Sequence, residues 1–145
     1  MNEYLIQTSP FFIDLAILIA RIFIGVCFVI HGLGKLGIVG SGSMAGFAGW
    51  LKSLGVPYAD AQARIAMASE IGGGILITLG LFTRVGLLLC CFTMLVAAFL
   101  GHRGAGYLIT NNPPGKEYAL NLAVICIVMI LLGPGAYSFD AVLFG

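Results

Sequence analysis

The run FIDLAILIARIFIGVCFVIHGL, residues 12–33, decides the fold because it is long and apolar enough to cross a lipid bilayer as one helix. It carries Arg21 near its middle and His31 near its end. An ionised side chain near the centre of a bilayer costs about 3 kcal/mol or more, so such residues normally face the interior of a helix bundle. The run therefore predicts a membrane-spanning helix with polar chemistry at depth.

Three further apolar runs follow, at residues 63–81, 85–100 and 118–132, and the first of them carries Glu70. All five prolines fall between or beyond the four runs, where a missing N–H does not interrupt a helix. The pattern predicts an all-α membrane protein, a four-transmembrane-helix bundle formed by one domain over residues 1–145.

The links between the runs differ in length. Residues 80–84 are too few for anything but a tight helical hairpin, whereas residues 102–116 predict an ordered loop rich in turn formers. The first link carries apolar residues at helical spacing beside Trp50 and Lys52, and these are Met44, Phe47, Leu51 and Leu54. We expect it to form a short amphipathic helix in the membrane interface, between the first and second spans.

Composition argues against a nucleic-acid-binding function. The chain is 60% hydrophobic and 9% charged, with a net charge of +1 and a mean hydropathy of +1.07. No block of Lys or Arg is present, so a nucleic-acid partner is not expected. Residues 1–12 contain no Lys or Arg, which argues against a cleaved signal peptide.

The four cysteines all lie inside apolar runs and show no C-x-x-C spacing. Cys90 and Cys91 are adjacent, and a vicinal pair closes a disulfide only with strain. We interpret Cys27, Cys90, Cys91 and Cys126 as small buried hydrophobic residues, not as a thiol relay.

The distribution of Lys and Arg predicts an orientation in the membrane. The side with the first and third links carries Lys35, Lys52, Arg64, Arg103 and Lys116, whereas the opposite side carries Arg84 alone. By the positive-inside rule, both termini then lie on the non-cytoplasmic side. On that side, Arg84 at the hairpin is expected to pair with Asp140 after the last span.

Polar side chains gather at one end of the predicted bundle. Helix connectivity brings His31 and Lys35 to the same membrane side as His102 and Glu117, with Glu70 approaching from within the second span. Arg21, His31 and Lys35 can face inward on one helix. Judged by depth, Glu70 pairs with Arg21, and Lys35 is the main alternative partner.

This set of residues suits the head group of a quinone or quinol. His and Lys donate hydrogen bonds to carbonyl oxygens, and a carboxylate can relay the protons that quinone reduction consumes. The candidate catalytic residues are Glu70, His31 and Glu117, and the candidate binding residues are Arg21, His31, Lys35, Glu70 and His102. A metal or haem ligand set and a purely structural polar contact are the alternatives. No H-x-x-x-H or E-x-x-H spacing supports a metal or haem.

The order of these fragments resembles the DoxX family of small bacterial membrane proteins, within the DoxX/DoxD-like group. The matching pieces cover nearly the whole chain. They are Arg21-x-x-x-Gly25-x-x-Phe28-x-x-His31-Gly32-x-x-Lys35, Gly46-Phe47, Leu54-Gly55-Val56-Pro57, Glu70-x-Gly72-Gly73, Gly80-Leu81-x-Thr83-Arg84, His102, Glu117-Tyr118 and Gly133-Pro134-Gly135-x-x-Ser138-x-Asp140.

The resemblance implies a multi-pass protein of the bacterial inner membrane that is associated with redox chemistry. Family relatives include subunits linked to a terminal quinol oxidase and to a thiosulfate:quinone oxidoreductase. We therefore expect a membrane subunit of a quinone-linked oxidoreductase system, in contact with the lipid bilayer and with other oxidoreductase subunits. Whether the chain is itself an enzyme stays open, and the alternatives are a noncatalytic accessory or scaffold subunit and a small-solute transporter or channel.

Overall fold

The computed structural model describes residues 8–145, and this part of the chain is helical with no strand. The first seven residues lie outside the described range. They include most of residues 1–12, the segment whose lack of Lys and Arg argues against a cleaved signal peptide. The helices are α1 (Pro10–Lys35), α2 (Met44–Ser53), α3 (Ala59–Leu79), α4 (Thr83–Val96), α5 (Glu117–Leu132) and α6 (Phe139–Phe144). A π-helical turn, Ala97–Gly101, continues α4. The prediction of an all-α fold is confirmed.

The four apolar runs correspond to α1, α3, α4 with its π-helical turn, and α5. By length and composition, two helical stretches of the described chain can cross a membrane, Pro10–Lys35 and Thr83–Gly101. Helix α5 is apolar but shorter. The four helices pack together, but the number that crosses the bilayer stays a prediction.

Glycines bring three of these helices into backbone contact. A Cβ atom on Gly74 of α3 would lie 2.6 Å from the carbonyl oxygen of Gly25 in α1, and a Cβ on Gly25 would lie 2.7 Å from that of Gly74. On the other side of α3, a Cβ on Gly73 would lie 2.9 Å from the carbonyl oxygen of Gly86 in α4. Two consecutive glycines therefore let α3 approach a different neighbour on each side, as small residues do in membrane bundles.

The core between the helices is apolar and contains three of the cysteines. Phe28, Ile77 and Leu87 are fully buried there, as are Cys90 and Cys126, and Cys91 is 6% exposed. The thiol of Cys91 lies 3.7 Å from the carbonyl oxygen of Ala123. These three thiols fill space as small hydrophobic groups, as the sequence predicts, whereas Cys27 is only half-buried.

Helix α2 lies across one end of the bundle. The hydroxyl of Ser43 caps it by accepting a hydrogen bond from the backbone N–H of Gly46 at 3.0 Å. Ala48 and Leu51 pack on the first turns of α3. Trp50 contacts the π-helical turn, since a Cβ on Gly101 would lie 2.7 Å from its ring. The predicted short helix is present, and its place in a membrane interface stays a prediction.

The segment after α5 folds back over the opposite end of the bundle. The carboxylate of Asp14 in α1 accepts a hydrogen bond from the N–H of Ala136 at 2.9 Å. Asp140 accepts hydrogen bonds from residues at the start of α4, whereas Arg84 donates to the carbonyl oxygen of Ile130 at 3.1 Å. The expected pairing of Arg84 with Asp140 is therefore wrong, because Arg84 bonds to a backbone carbonyl and Asp140 bonds to backbone N–H groups and the Thr83 hydroxyl.

Candidate functional site: an ion pair beside an open groove

An ion pair between Lys35 and Glu70 joins the end of α1 to α3. The side chain of Glu70 is 2% exposed and that of Lys35 is 18% exposed. The ammonium of Lys35 also lies 5.0 Å from the centre of the Phe47 ring, a cation–π contact that adds α2 to the pair. A buried carboxylate is thus paired with one partly exposed cation.

The partner of Glu70 corrects the sequence interpretation, which favoured Arg21. Arg21 is 1% exposed and lies at the far end of the bundle, where a Nη atom donates a hydrogen bond to the carbonyl oxygen of Tyr137. About 21 Å of helix separates Arg21 from Lys35, so Arg21 cannot reach Glu70. The prediction placed Arg21 by its position within one apolar run. In the structure α1 extends well beyond the α3–α4 hairpin, so Arg21 lies level with Gly80 and not with Glu70.

Lys35 lines an open groove of about 440 Å³. Its walls come from the end of α1, from the turn that follows and from α2, and they are formed by Ile30, His31, Gly34, Lys35, Val39, Gly42, Ser43 and Phe47. Most of this surface is apolar, so the ammonium of Lys35 and the imidazole of His31 are its two strong polar groups. This combination suits a ligand with an apolar body and a few hydrogen-bond acceptors.

His31 lies at the bundle surface, at the edge of the groove, and does not face inward as predicted. Its Nε2 forms a hydrogen bond with the hydroxyl of Tyr118, the second residue of α5, and the ring centres are 5.1 Å apart. The same hydroxyl lies 3.4 Å from the thiol of Cys27. Tyr118 was not a predicted site residue, and the signal for it was its position at the start of the fourth run, on the membrane side where the first run ends.

His102 and Glu117 hold the loop between α4 and α5 and do not line the groove. The Nδ1 of His102 lies 2.7 Å from the carbonyl oxygen of Pro114, and the carboxylate of Glu117 accepts a hydrogen bond from the N–H of Ile109 at 3.0 Å. Of the predicted site residues, the structure brings His31, Lys35 and Glu70 together and leaves Arg21, His102 and Glu117 elsewhere. Across residues 8–145, no group of three His, Cys, Asp or Glu side chains is placed to hold a metal ion.

Comparison with known proteins places the chain beside bacterial membrane proteins. The DoxX family model matches residues 16–103. Inner membrane protein YphA of Escherichia coli is 34% identical over 130 residues, which cover 86% of this chain and 87% of the relative. Inner membrane protein YqjF of the same organism is 29% identical, covering 90% and 93%, and an uncharacterised protein of Haemophilus influenzae is 32% identical, covering 83% and 84%. No solved structure matches the chain at a significant level.

Proposed function

The chain belongs to the DoxX family of membrane proteins, and we propose that it is a membrane subunit of a quinone-linked oxidoreductase system that binds a quinone or quinol head group in the groove beside Lys35. The observation that carries the proposal is that Lys35 lines a mostly apolar groove and forms an ion pair with Glu70, which is buried and does not line the groove. Ionisable residues are rare at such positions and usually mark a site.

The groove suits this head group in its chemistry and in its size. A quinone presents carbonyl oxygens that only accept hydrogen bonds, and Lys35 has three N–H donors, of which Glu70 needs one. His31 offers a second ring nitrogen beyond the one that contacts Tyr118. Ile30, Val39 and Phe47 supply apolar surface for the ring. Small-molecule sites have volumes of about 300–1,000 Å³, and the groove falls within this range.

The same residues can hold protons next to the head group. A bound quinone supplies two-electron, two-proton chemistry, and in this proposal its electrons come from a partner oxidoreductase subunit. Lys35 in the groove wall is bonded to the buried Glu70, so this pair is one proton-binding position, and His31 with Tyr118 forms a second one at the edge. In this proposal Glu70 relays protons and His31 orients the head group.

We further propose that α1, α3, α4 and α5 all cross the bacterial inner membrane. The printed names of two relatives, both inner membrane proteins, support this location. With both termini on the non-cytoplasmic side, as the excess of Lys and Arg in the first and third links favours, the groove opens near the cytoplasmic face. Accessibility of Ser41 and Val142, both exposed, each changed to cysteine and labelled in intact cells, tests this orientation.

Trp50 provides the readout for the binding test. It is the single tryptophan of the chain, and its ring stacks on Phe47 of the groove wall with centres 5.9 Å apart. Quinones quench tryptophan fluorescence on close approach. Titration of the detergent-solubilised protein with decylubiquinone should therefore give saturable quenching.

The test compares groove variants with matched surface variants. Lys35→Met should weaken binding by about tenfold or more, because a charge-assisted hydrogen bond contributes about 1.5–3 kcal/mol. Glu70→Gln, which removes the carboxylate that positions the ammonium of Lys35, should weaken binding as well. Lys52→Met and Asp60→Asn, which change exposed charges elsewhere, should leave the affinity unchanged. Equal affinity in all four variants would contradict the proposed site. If no quinone quenches the Trp50 fluorescence of the wild-type protein, the result would instead favour the accessory-subunit alternative.

A further inference from the structure

Two side chains bridge α1 and α5 where the groove meets the outer surface of the bundle. Tyr118 of α5 is 39% exposed and forms a hydrogen bond with His31 of α1, which is also exposed. His31 lines the groove as well, and so does its neighbour Ile30. The His31–Tyr118 bridge therefore lies on the boundary between the groove and the surface that faces lipid.

Helices α1 and α5 are otherwise loosely joined. Helix α1 packs extensively on α3, α3 on α4, and α4 on α5, but within residues 8–145 no comparable backbone packing joins α1 to α5. The glycine contacts that close the α1–α3 and α3–α4 interfaces have no counterpart there among the described glycines. The line between α1 and α5, below the His31–Tyr118 bridge, is the least tightly packed side of the bundle, and we refer to it as the α1–α5 seam.

An apolar stripe on α1 follows this seam toward the groove. Phe23, Cys27 and Ile30 recur at helical spacing, so they lie on one face that ends at His31. Phe23 and Ile30 are exposed, and Cys27 is half-buried against the Tyr118 hydroxyl. On α5, Ile125 lies two turns from Tyr118 on the same face and is also exposed. The seam thus has an apolar surface that leads along α1 and α5 to the His31–Tyr118 hydrogen bond.

We propose that the ligand of the groove is lipid-soluble and enters sideways from the bilayer through the α1–α5 seam, with the His31–Tyr118 hydrogen bond as the latch at its inner end. This inference rests on the proposed function and adds the route and the ligand class: a quinone whose isoprenoid or alkyl tail stays along Phe23, Cys27 and Ile30 while its head group occupies the groove. A head group without a tail can also reach the open groove from water.

The test compares the entry rates of a tailed and a tail-free quinone. Decylubiquinone and 2,3-dimethoxy-5-methyl-1,4-benzoquinone are mixed with the full chain in phosphatidylethanolamine–phosphatidylglycerol vesicles, and Trp50 quenching is followed by stopped flow. Cys27→Phe adds bulk in the seam beside Tyr118. Ile22→Phe adds bulk at an exposed position of α1 that lies about 140° around the helix from Cys27 and outside the stripe. Cys27→Phe should slow entry of the tailed quinone by about tenfold and leave the tail-free rate unchanged, whereas Ile22→Phe should change neither rate.

A second variant tests the latch without adding bulk. Tyr118→Phe keeps the ring but removes the hydroxyl that bonds to His31, so the entry rate of the tailed quinone should rise relative to that of the tail-free quinone. Equal slowing of both quinones by Cys27→Phe, or no slowing of either, would overturn the lateral route while binding in the groove stands. An unchanged entry rate in Tyr118→Phe would overturn the latch. No saturable quenching of the wild-type protein by either quinone would overturn the route and the proposed function together.

Discussion

Asp140 caps α4 through Thr83: its carboxylate accepts one hydrogen bond from the backbone N–H of Thr83 at 2.9 Å and another from the Thr83 hydroxyl at 2.7 Å. The N–H of Phe82 donates a third at 2.6 Å. Thr83 is fully buried, and Phe82 has a positive φ of 45°. A residue far along the chain thus satisfies the free N–H groups at the start of α4 and holds the α3–α4 hairpin in a turn that few side chains adopt.

Asp140→Ala should lower stability by about 1–2 kcal/mol at pH 7, as loss of a helix cap does. Burial alone raises the pKa of Asp140, but hydrogen bonds from Thr83 and Phe82 and the positive charge of Arg21 outweigh it, so the pKa lies below its ordinary value. A lowered pKa gives stability that is present above the unfolded pKa of about 3.9 and is lost as pH falls through the folded pKa. The gap in Tm between wild type and Asp140→Ala should therefore be constant from pH 7 to about pH 5 and narrow below about pH 4.

The exposed Asp60→Ala serves as the control for this pH series. Its Tm should stay close to that of the wild type at every pH. A gap for Asp140→Ala that stays constant down to pH 3 would mean that packing of α6, and not the carboxylate, produces the effect.

The Lys35–Glu70 pair should respond unequally to the loss of either partner. Lys35→Met leaves a carboxylate that is 98% buried without a cation, and breaking a buried pair in this way costs about 3–5 kcal/mol. Glu70→Gln leaves Lys35, whose longer and partly exposed side chain can move its ammonium toward water. We expect Lys35→Met to lower Tm more than Glu70→Gln, and the double variant to recover part of the loss. Equal losses in the two single variants would show that the pair is solvated from both sides.

Adjacent small residues on α3 provide a test of close helix packing. Gly74→Ala places a methyl group 2.6 Å from the carbonyl oxygen of Gly25, so α1 and α3 must separate, at a cost of about 1–3 kcal/mol. Gly72→Ala, on the same helix, meets nothing within 4 Å and should gain up to about 1 kcal/mol from higher helix propensity. Thermal unfolding in one detergent measures both. A destabilised Gly72→Ala would contradict the open space next to Gly72 in the monomer and would indicate that this face of α3 contacts another copy of the chain.

The positions of α1, α3, α4 and α5 could be predicted from the sequence because each of these helices coincides with an apolar run bounded by turn residues, whereas α6 was not predicted. The α3–α4 hairpin and the short α2 followed from link length and apolar spacing. The pairing of Glu70 could not be predicted in the same way, because a run of apolar residues gives the length of a helix but not its offset from its neighbours. Helix α1 begins well outside the α3–α4 hairpin, and this offset moves Arg21 to the bundle end and leaves Lys35 at the level of Glu70.

The roles of His102 and Glu117 also depended on information absent from the pattern. Both lie on the expected side, but the loop between α4 and α5 contains backbone groups that need partners. His102 forms a hydrogen bond with the carbonyl oxygen of Pro114, and Glu117 accepts one from the N–H of Ile109. Both side chains therefore bind the loop and do not reach the predicted site. Tyr118 enters the site instead, because its side chain starts from the first turn of α5 and reaches His31 across the seam.

Arg21→Met should be tolerated far better than Arg21→Ala. Arg21 is 1% exposed, and within the described chain its Nε and one Nη have no hydrogen-bond partner, so only the other Nη is satisfied, by Tyr137. Methionine keeps most of the buried length and removes a poorly compensated charge, and such replacements are often neutral or stabilising. Alanine leaves a cavity and should cost about 2–5 kcal/mol.

Because Arg21 lies at the opposite end of the bundle from Lys35, decylubiquinone should quench the Trp50 fluorescence of Arg21→Met with wild-type affinity. Weaker quinone binding by this variant would show that Arg21 contributes to the binding site. If Arg21→Met lowers stability as much as Arg21→Ala, the charge of Arg21 holds Asp140 and the α4 cap in place.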